Sequence, residues 1–213
     1  MTLSNSQQLQ NYSKENSTTS SISIMDLKVL VIADRPPKSS IKDQVLDENI
    51  DLVITLGDLE YTQIAELELI TNIPKIGVYG NHCTPGYMEQ LGIADMHLNT
   101  IEVGGITFGG FDGSHKYKND QFAKMYTQEE AVELMKDFPY VDVFIAHSPP
   151  AGINDEDDPA HTGLIALRNY LDQKQPKYFF HGHTYPTKDS LVQKYNNTNI
   201  VYVTADKIVE LVF

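Results

Sequence analysis

The chain has 213 residues, 41% hydrophobic and 21% charged, enough to bury roughly 70% of its unfolded surface in one sizeable domain rather than two. Lys and Arg number 16 against 29 Asp and Glu, a formal charge of −13, which argues against an extended basic surface for nucleic acid and leaves a small metal-held substrate open. The single cysteine, Cys83, rules out an internal disulfide and a Cys-based zinc site and fits a reducing compartment. No run approaches the roughly 18 to 20 apolar residues of a membrane span, and no basic segment precedes an apolar one at the N-terminus. The expectation is a soluble, cytoplasmic chain with no membrane partner.

Residues 1–24 are rich in Ser, Thr, Asn and Gln, with only sparse apolar residues such as Leu3, Leu9 and Tyr12, a composition that predicts a disordered tail. The folded unit is expected over 25–213, opening after Met25 with the run Leu27 to Ile32. Short apolar runs then alternate with helical periods, the pattern of layered α/β structure. Strands are predicted at 27–33, 52–56, 75–79, 101–103, 106–110, 141–146, 177–181, 191–195, 200–204 and 207–212. Helices are predicted near 39–48, 61–71, 87–92, 128–137 and 162–173, the fourth opened by a capping box in Thr127-Gln128-Glu129-Glu130. Two sheets follow from this order, mostly parallel early and antiparallel late, between helical layers. The late strand 207–212 offers a pairing edge, though nothing in the sequence demands a dimer.

Five apolar strands end in groups able to bind metal. Asp34 follows Val31-Ile32-Ala33, Asp58 follows Val53 to Gly57, and Asn81-His82 follows Ile76 to Gly80. His147 follows Val143 to Ala146, and His181-Gly182-His183 follows Tyr178-Phe179-Phe180. The C-termini of strands in open α/β sheets line the ligand crevice, so these groups are expected to converge. Carboxylate, amide oxygen and imidazole suit one or two divalent ions such as Mn, Fe, Zn or Ni. A carboxylate such as Asp58 is placed to bridge two of them about 3.5 to 4 Å apart, the spacing that clamps a phosphoryl displacement.

In order, these blocks resemble the calcineurin-like metallophosphoesterases, whose pattern is D-x-H, G-D, G-N-H, H and G-H-x-H or H-G-H. The resemblance covers about residues 27–190. It is closest from His147-Ser148-Pro149-Pro150 through His161 to His183, where it looks like the small members grouped with class III cyclic-nucleotide phosphodiesterases. It implies a four-layer αββα sandwich of two mixed sheets flanked by helices, the metallophosphatase fold, and Mn or Fe as the favoured metals. It also implies Asp34, Asp58 and His183 on one ion, with Asp58, Asn81, His147 and His181 on the other. A metal-bound hydroxide would attack a small phosphodiester in line, and His82 would assist the leaving group without being a ligand.

The sequence departs from that pattern at Asp34-Arg35-Pro36, where Pro36 occupies the place of the first histidine ligand. Arg35 beside it either meets a substrate phosphate, in a catalytic or binding role, or partly replaces the charge of the missing cation, or else pairs with a carboxylate of this acidic chain. Cys83 reads as a small buried thiol rather than a ligand. His161 is read as ordering the helix after it or touching substrate together with Arg35, Asn81 and His82. His115 sits in a loop that could overhang the site, and His97 has no assigned role. Asp155-Glu156-Asp157-Asp158 lacks the spacing of a calcium loop and reads as a solvated acidic turn. Loops around 112–126 and 148–162 are expected to set specificity. The reading is therefore a metal-dependent phosphoester hydrolase for a small substrate. Its alternatives are a catalytically weak phosphate-binding module with a degraded first metal site, or a phosphomonoesterase or pyrophosphatase on the same scaffold.

Overall fold

A computed structural model describes residues 26–213; the tail expected over 1–24 lies outside them. Strand β1 (Asp26–Ala33) has no polar position between Val29 and Ala33. Alternate side chains leave opposite faces of a strand, so such a run must be covered on both. Val29, Val31 and Ala33 enter one apolar cluster, while Leu30 and Ile32 enter another. The parallel strands β2 (Leu52–Thr55), β3 (Lys75–Gly77) and β4 (Ala94–Asp95) extend this sheet on one side, and β13 (Ala205–Val212) closes the other edge antiparallel to β1.

The second sheet has the order β11-β12-β10-β9-β6-β5. It is built from β5 (Thr100–Val103), β6 (Ile106–Phe111), β9 (Val143–Ala146), β10 (Tyr178–His181), β11 (Lys194–Tyr195) and β12 (Thr198–Tyr202). A separate parallel ribbon pairs β7 (Ser114–His115) with β8 (Met125–Tyr126). The two large sheets meet through Val31, Ile54, Phe108, Ile145 and Phe180. Helices α1 (Ile41–Asp47), α2 (Tyr61–Ile64) and α3 (Tyr87–Gln90) cover the first sheet, with a 3₁₀ turn at Ala65–Leu69. Helices α4 (Gln128–Met135) and α5 (Ile165–Lys174) cover the second, over Phe144 and Phe179 stacked at 5.4 Å. Each such buried ring contributes about 1.5 to 3 kcal/mol. The layers are the expected αββα sandwich, and the Thr127 capping box forms as read from the sequence.

Several expectations need correction. The late strands are not mainly antiparallel: β6, β9, β10 and β12 run parallel, and antiparallel pairs occur only at the sheet edges. The segment between β10 and β12 contains no helix but is long enough to cross over. The last strand, β13, pairs antiparallel with β1 at the edge of the first sheet. The helix expected from 162 starts at Ile165, because Leu164 is held extended by its bridge to Pro150. Of the strand expected over 191–195, only Lys194–Tyr195 forms.

Parallel strands point their C-terminal ends the same way, which brings the ends of β1, β2, β3, β9 and β10 together. The ends of β2 and β3 interlock: Gly57 has φ +91°, and a Cβ there would lie 2.2 Å from the Gly80 nitrogen. Gly57→Ala is expected to cost about 3 kcal/mol in a denaturant titration, since both the left-handed backbone and the space oppose it. An unchanged midpoint would contradict this packing.

Candidate metal centre

The turn after each strand bends sharply. Asp34 has φ +61°, Asp58 φ +51° and His183 φ +69°, a region costly for residues with a Cβ and concentrated at functional sites. The bends turn the side chains inward. Asp34 donates its N–H to the Gly57 carbonyl at 3.1 Å, joining β1 to β2, and both its carboxylate oxygens accept from the His183 N–H at 3.0 and 3.1 Å. Asp58 Oδ1 accepts from the His82 N–H at 2.7 Å. The Cys83 sulfur accepts from the N–H groups of Asp58 at 3.1 Å and Gly80 at 2.9 Å. Cys83 is thus a packed acceptor that shapes the turn, and burial pushes its thiol pKa up.

Three histidines differ in how their ring nitrogens are engaged. His147 Nδ1 lies 2.8 Å from the Leu56 carbonyl, an atom that can only accept, so Nδ1 carries the proton and Nε2 the lone pair. That lone pair faces Asn81 Oδ1 at 3.1 Å and Asp58 Oδ2 at 3.5 Å. His183 Nε2 lies 2.8 Å from the Ala160 carbonyl, which leaves its Nδ1 as the free lone pair by the same argument. One ligand atom from each of Asp58, His147 and His183 lies within 4.8 Å of the other two. Among the described residues this is the one such cluster at the strand ends. Orienting an imidazole by its other N–H is how proteins prepare metal ligands.

His181 is arranged otherwise. Its Nδ1 faces the Gly182 carbonyl at 3.0 Å and its Nε2 meets the Asn154 amide nitrogen at 3.0 Å. Both nitrogens are therefore engaged, and the structure does not bring His181 into the group with Asp58 and Asn81 that the sequence reading gave it. His183 takes that place beside Asp58 and His147.

Burial sets the electrostatics. It pushes the Asp34 carboxyl up to about 6, with His147 opposing the rise and Asp58 adding to it. It lowers His181 to about 4 and His183 to about 3, so both rings are uncharged at neutral pH. Buried oxygens and bare imidazole nitrogens thus face one another. This donor set fits a divalent cation and would restore full ionisation of Asp34.

His82 is exposed at the mouth, with Nε2 3.2 Å from the Tyr117 hydroxyl. Arg35 is also exposed, 5.8 Å from the centre of the Tyr185 ring, and among the described residues no carboxylate pairs with it. His161 holds Asp158 at 2.8 Å, and its ring lies 5.3 Å from that of His183. A second group of potential ligands, Glu156, Asp158 and His161, lies in this loop. Its oxygens are engaged locally, Glu156 by the Tyr185 N–H and Asp158 by the loop's own N–H groups.

Residues 36–186 match the sequence profile described as calcineurin-like phosphoesterase. No curated protein matches the chain. Among solved structures, one superposes with a TM-score of 0.62 at 17% identity, covering 89% of this chain and all of its own. TT1561 of Thermus thermophilus gives 0.54 at 13% identity, covering 86% of this chain and 90% of that one. The calcineurin-like phosphoesterase YfkN from Bacillus subtilis gives 0.50 at 13% identity, covering 89% and 86%. At these identities the likeness is one of fold.

Tyr117, Asn154 and Tyr185 were not singled out by the sequence, because each acts through a partner distant in the chain. Tyr117 stands on the arch between β7 and β8, whose foot is the fully buried Asp112. Its carboxylate takes Tyr126 at 2.6 Å, His97 at 2.9 Å and the Lys124 ammonium, which gives His97 a structural role. His115 ties the arch to the facing loop through the Pro159 carbonyl at 3.5 Å. Burial alone would raise the Asp112 carboxyl, but these partners outweigh it and hold the group below its usual range. With the folded pKa depressed, this contribution to stability is present above about pH 4 and lost as pH falls through the folded value. Asp112→Asn is expected to cost about 2 kcal/mol at neutral pH, less than a fully buried pair because Lys124 reaches solvent. The difference from the unsubstituted chain should shrink in acid; a gap independent of pH would refute the assignment.

Proposed function

This chain belongs to the calcineurin-like phosphoesterase family, whose chemistry is metal-dependent phosphoester hydrolysis, and we propose on that premise that it cleaves a small phosphodiester at the strand-end cluster. One observation carries the reading: Asp58, His147 and His183 bring ligand atoms within 4.8 Å of one another, with Asn81 Oδ1 beside the unprotonated His147 nitrogen, a grouping that a divalent cation satisfies. When bound, a divalent ion supplies Lewis acidity and makes water a competent nucleophile at neutral pH.

The remaining roles fall to the chain's own groups. Asp58 would hold the ion through one oxygen, while its other oxygen fixes the His82 backbone and so sets where that ring stands. His82 sits at the mouth and is not needed as a ligand. It would pass a proton to the departing oxygen as the P–O bond breaks, while the Tyr117 hydroxyl keeps the imidazole from turning. Arg35, with no acidic partner among the described residues, is free to meet a phosphoryl oxygen in charge-assisted contact. His161, half-buried beside His183, and the buried Asn81 next to His82 would complete the substrate contacts. A cyclic-nucleotide-like diester is the substrate favoured by the stretch from His147 to His183. The two sheets share one apolar layer, which supports treating 25–213 as one hydrolase domain.

The test is turnover of a chromogenic phosphodiester beside the matching monoester, using chelator-treated protein titrated with Mn²⁺. Hydrolysis should require the ion and favour the diester. His82→Ala should lower kcat by about 10²- to 10⁴-fold with metal content unchanged. A folded, metal-loaded protein that turns over neither ester would instead be a phosphate-binding module, and a preference for the monoester would make it a phosphomonoesterase.

A further inference from the structure

We infer that the centre holds one divalent ion rather than two, and that the Arg35 guanidinium, at the rim next to Asp34 in the chain, supplies the second positive charge toward the substrate. The inference deepens the hydrolase reading and rests on it for the site. Its basis is a count of uncommitted lone pairs. His147 Nε2, His183 Nδ1, a carboxylate oxygen of Asp58 and Asn81 Oδ1 are oriented as one set, and four protein donors with water in the open positions satisfy one ion.

No second set of this kind exists among the described residues at the strand ends. Asp34 stands 3.8 Å from His147 Nδ1, but that nitrogen's proton is committed to Leu56. Both Asp34 oxygens accept from the one His183 N–H, which leaves lone pairs on that carboxylate but brings no second donor residue to it. His181 has neither nitrogen to spare, since Asn154 and Gly182 engage both. His161 Nδ1 is held by Asp158. An ion beside Asp34 would therefore have that carboxylate and a share of Asp58, with no imidazole.

The charge that Asp34 lacks comes from its neighbour in the chain. Arg35 turns sharply at the end of β1, its N–H on the Ala33 carbonyl at 2.6 Å. Its guanidinium rests over the Tyr185 ring at 5.8 Å, within cation–π range. The Tyr185 backbone is itself held by Glu156 at 2.7 Å, and its ring packs edge-on against His161 at 5.6 Å. The arginine is thus propped at the rim by an aromatic shelf rather than neutralised by an acid. A fixed, planar cation with several N–H donors suits a phosphoryl group, and it does not depend on metal supply.

Metal stoichiometry tests the inference without relying on turnover. Chelator-treated protein would be equilibrated with Mn²⁺, and bound metal measured by elemental analysis alongside the electron paramagnetic resonance spectrum. The expected result is one equivalent per chain with the spectrum of an isolated ion. His183→Ala should lose that equivalent, while Asp34→Asn and Arg35→Gln should retain it. Arg35→Gln should also lower kcat/KM for the diester by roughly ten- to a hundredfold, the range for a lost charge-assisted contact. Circular dichroism would confirm that each variant is folded. Two equivalents, or a spin-coupled pair, would overturn the single-ion inference while leaving the hydrolase reading intact. One equivalent with no turnover of any phosphoester would leave the inference standing and sink the hydrolase reading. Unchanged kcat/KM in Arg35→Gln would overturn the role of the guanidinium.

Discussion

Oxygen and imidazole acceptors facing one another out of water are the constraint on which this site depends. Leu56 and Ala160 take the ring protons of His147 and His183 through backbone carbonyls, so the remaining nitrogens are bare where they meet Asp58 and Asn81. Placing such groups together without a positive charge costs desolvation that hydrogen bonding does not repay. The rise of Asp34 to about 6 and the fall of His183 to about 3 express the same imbalance. A cation removes it, which is why the proposed chemistry begins with a metal.

The scaffold keeps these groups in place by being rigid where they turn. Asp34, Asp58 and His183 all adopt left-handed backbone conformations, each costing about 1 to 3 kcal/mol. Gly57 and Gly80 permit contacts that any side chain would block. The cost is borne by a core pressed between two sheets that are apolar on both faces, with helices on the outside. Exposed side chains stand at the mouth, where His82, Arg35 and Tyr185 reach solvent. The division matches a site with a fixed centre and an opening that admits a substrate.

Much of this was legible because strand periodicity is local. The apolar runs ending at Ala33, Gly57, Gly80, Ala146 and Phe180 give both the sheets and their shared edge of polar groups. The capping box at Thr127 needs only its own four residues, and it forms. What the sequence could not decide depends on distant partners. His181 and His183 are separated by one glycine and look equivalent, yet Asn154 engages one and Ala160 orients the other. The parallel run of β10 and β12 is set by a helix-free crossover with no periodic signature. Tyr117 sits between two lysines with no pattern to mark it, and only the arch rooted in Asp112 brings it to His82.

The central claim is that the strand-end cluster is a cation site, and thermal unfolding tests it most directly. The chelator-treated chain would be melted with and without Mn²⁺, beside Asp58→Asn. An ion that binds only the folded state should raise the midpoint by about 5 °C or more once free Mn²⁺ reaches roughly a hundred times its dissociation constant, and the variant should show little of that rise. No metal-dependent shift in the unsubstituted chain, or an equal shift in both proteins, would contradict the account.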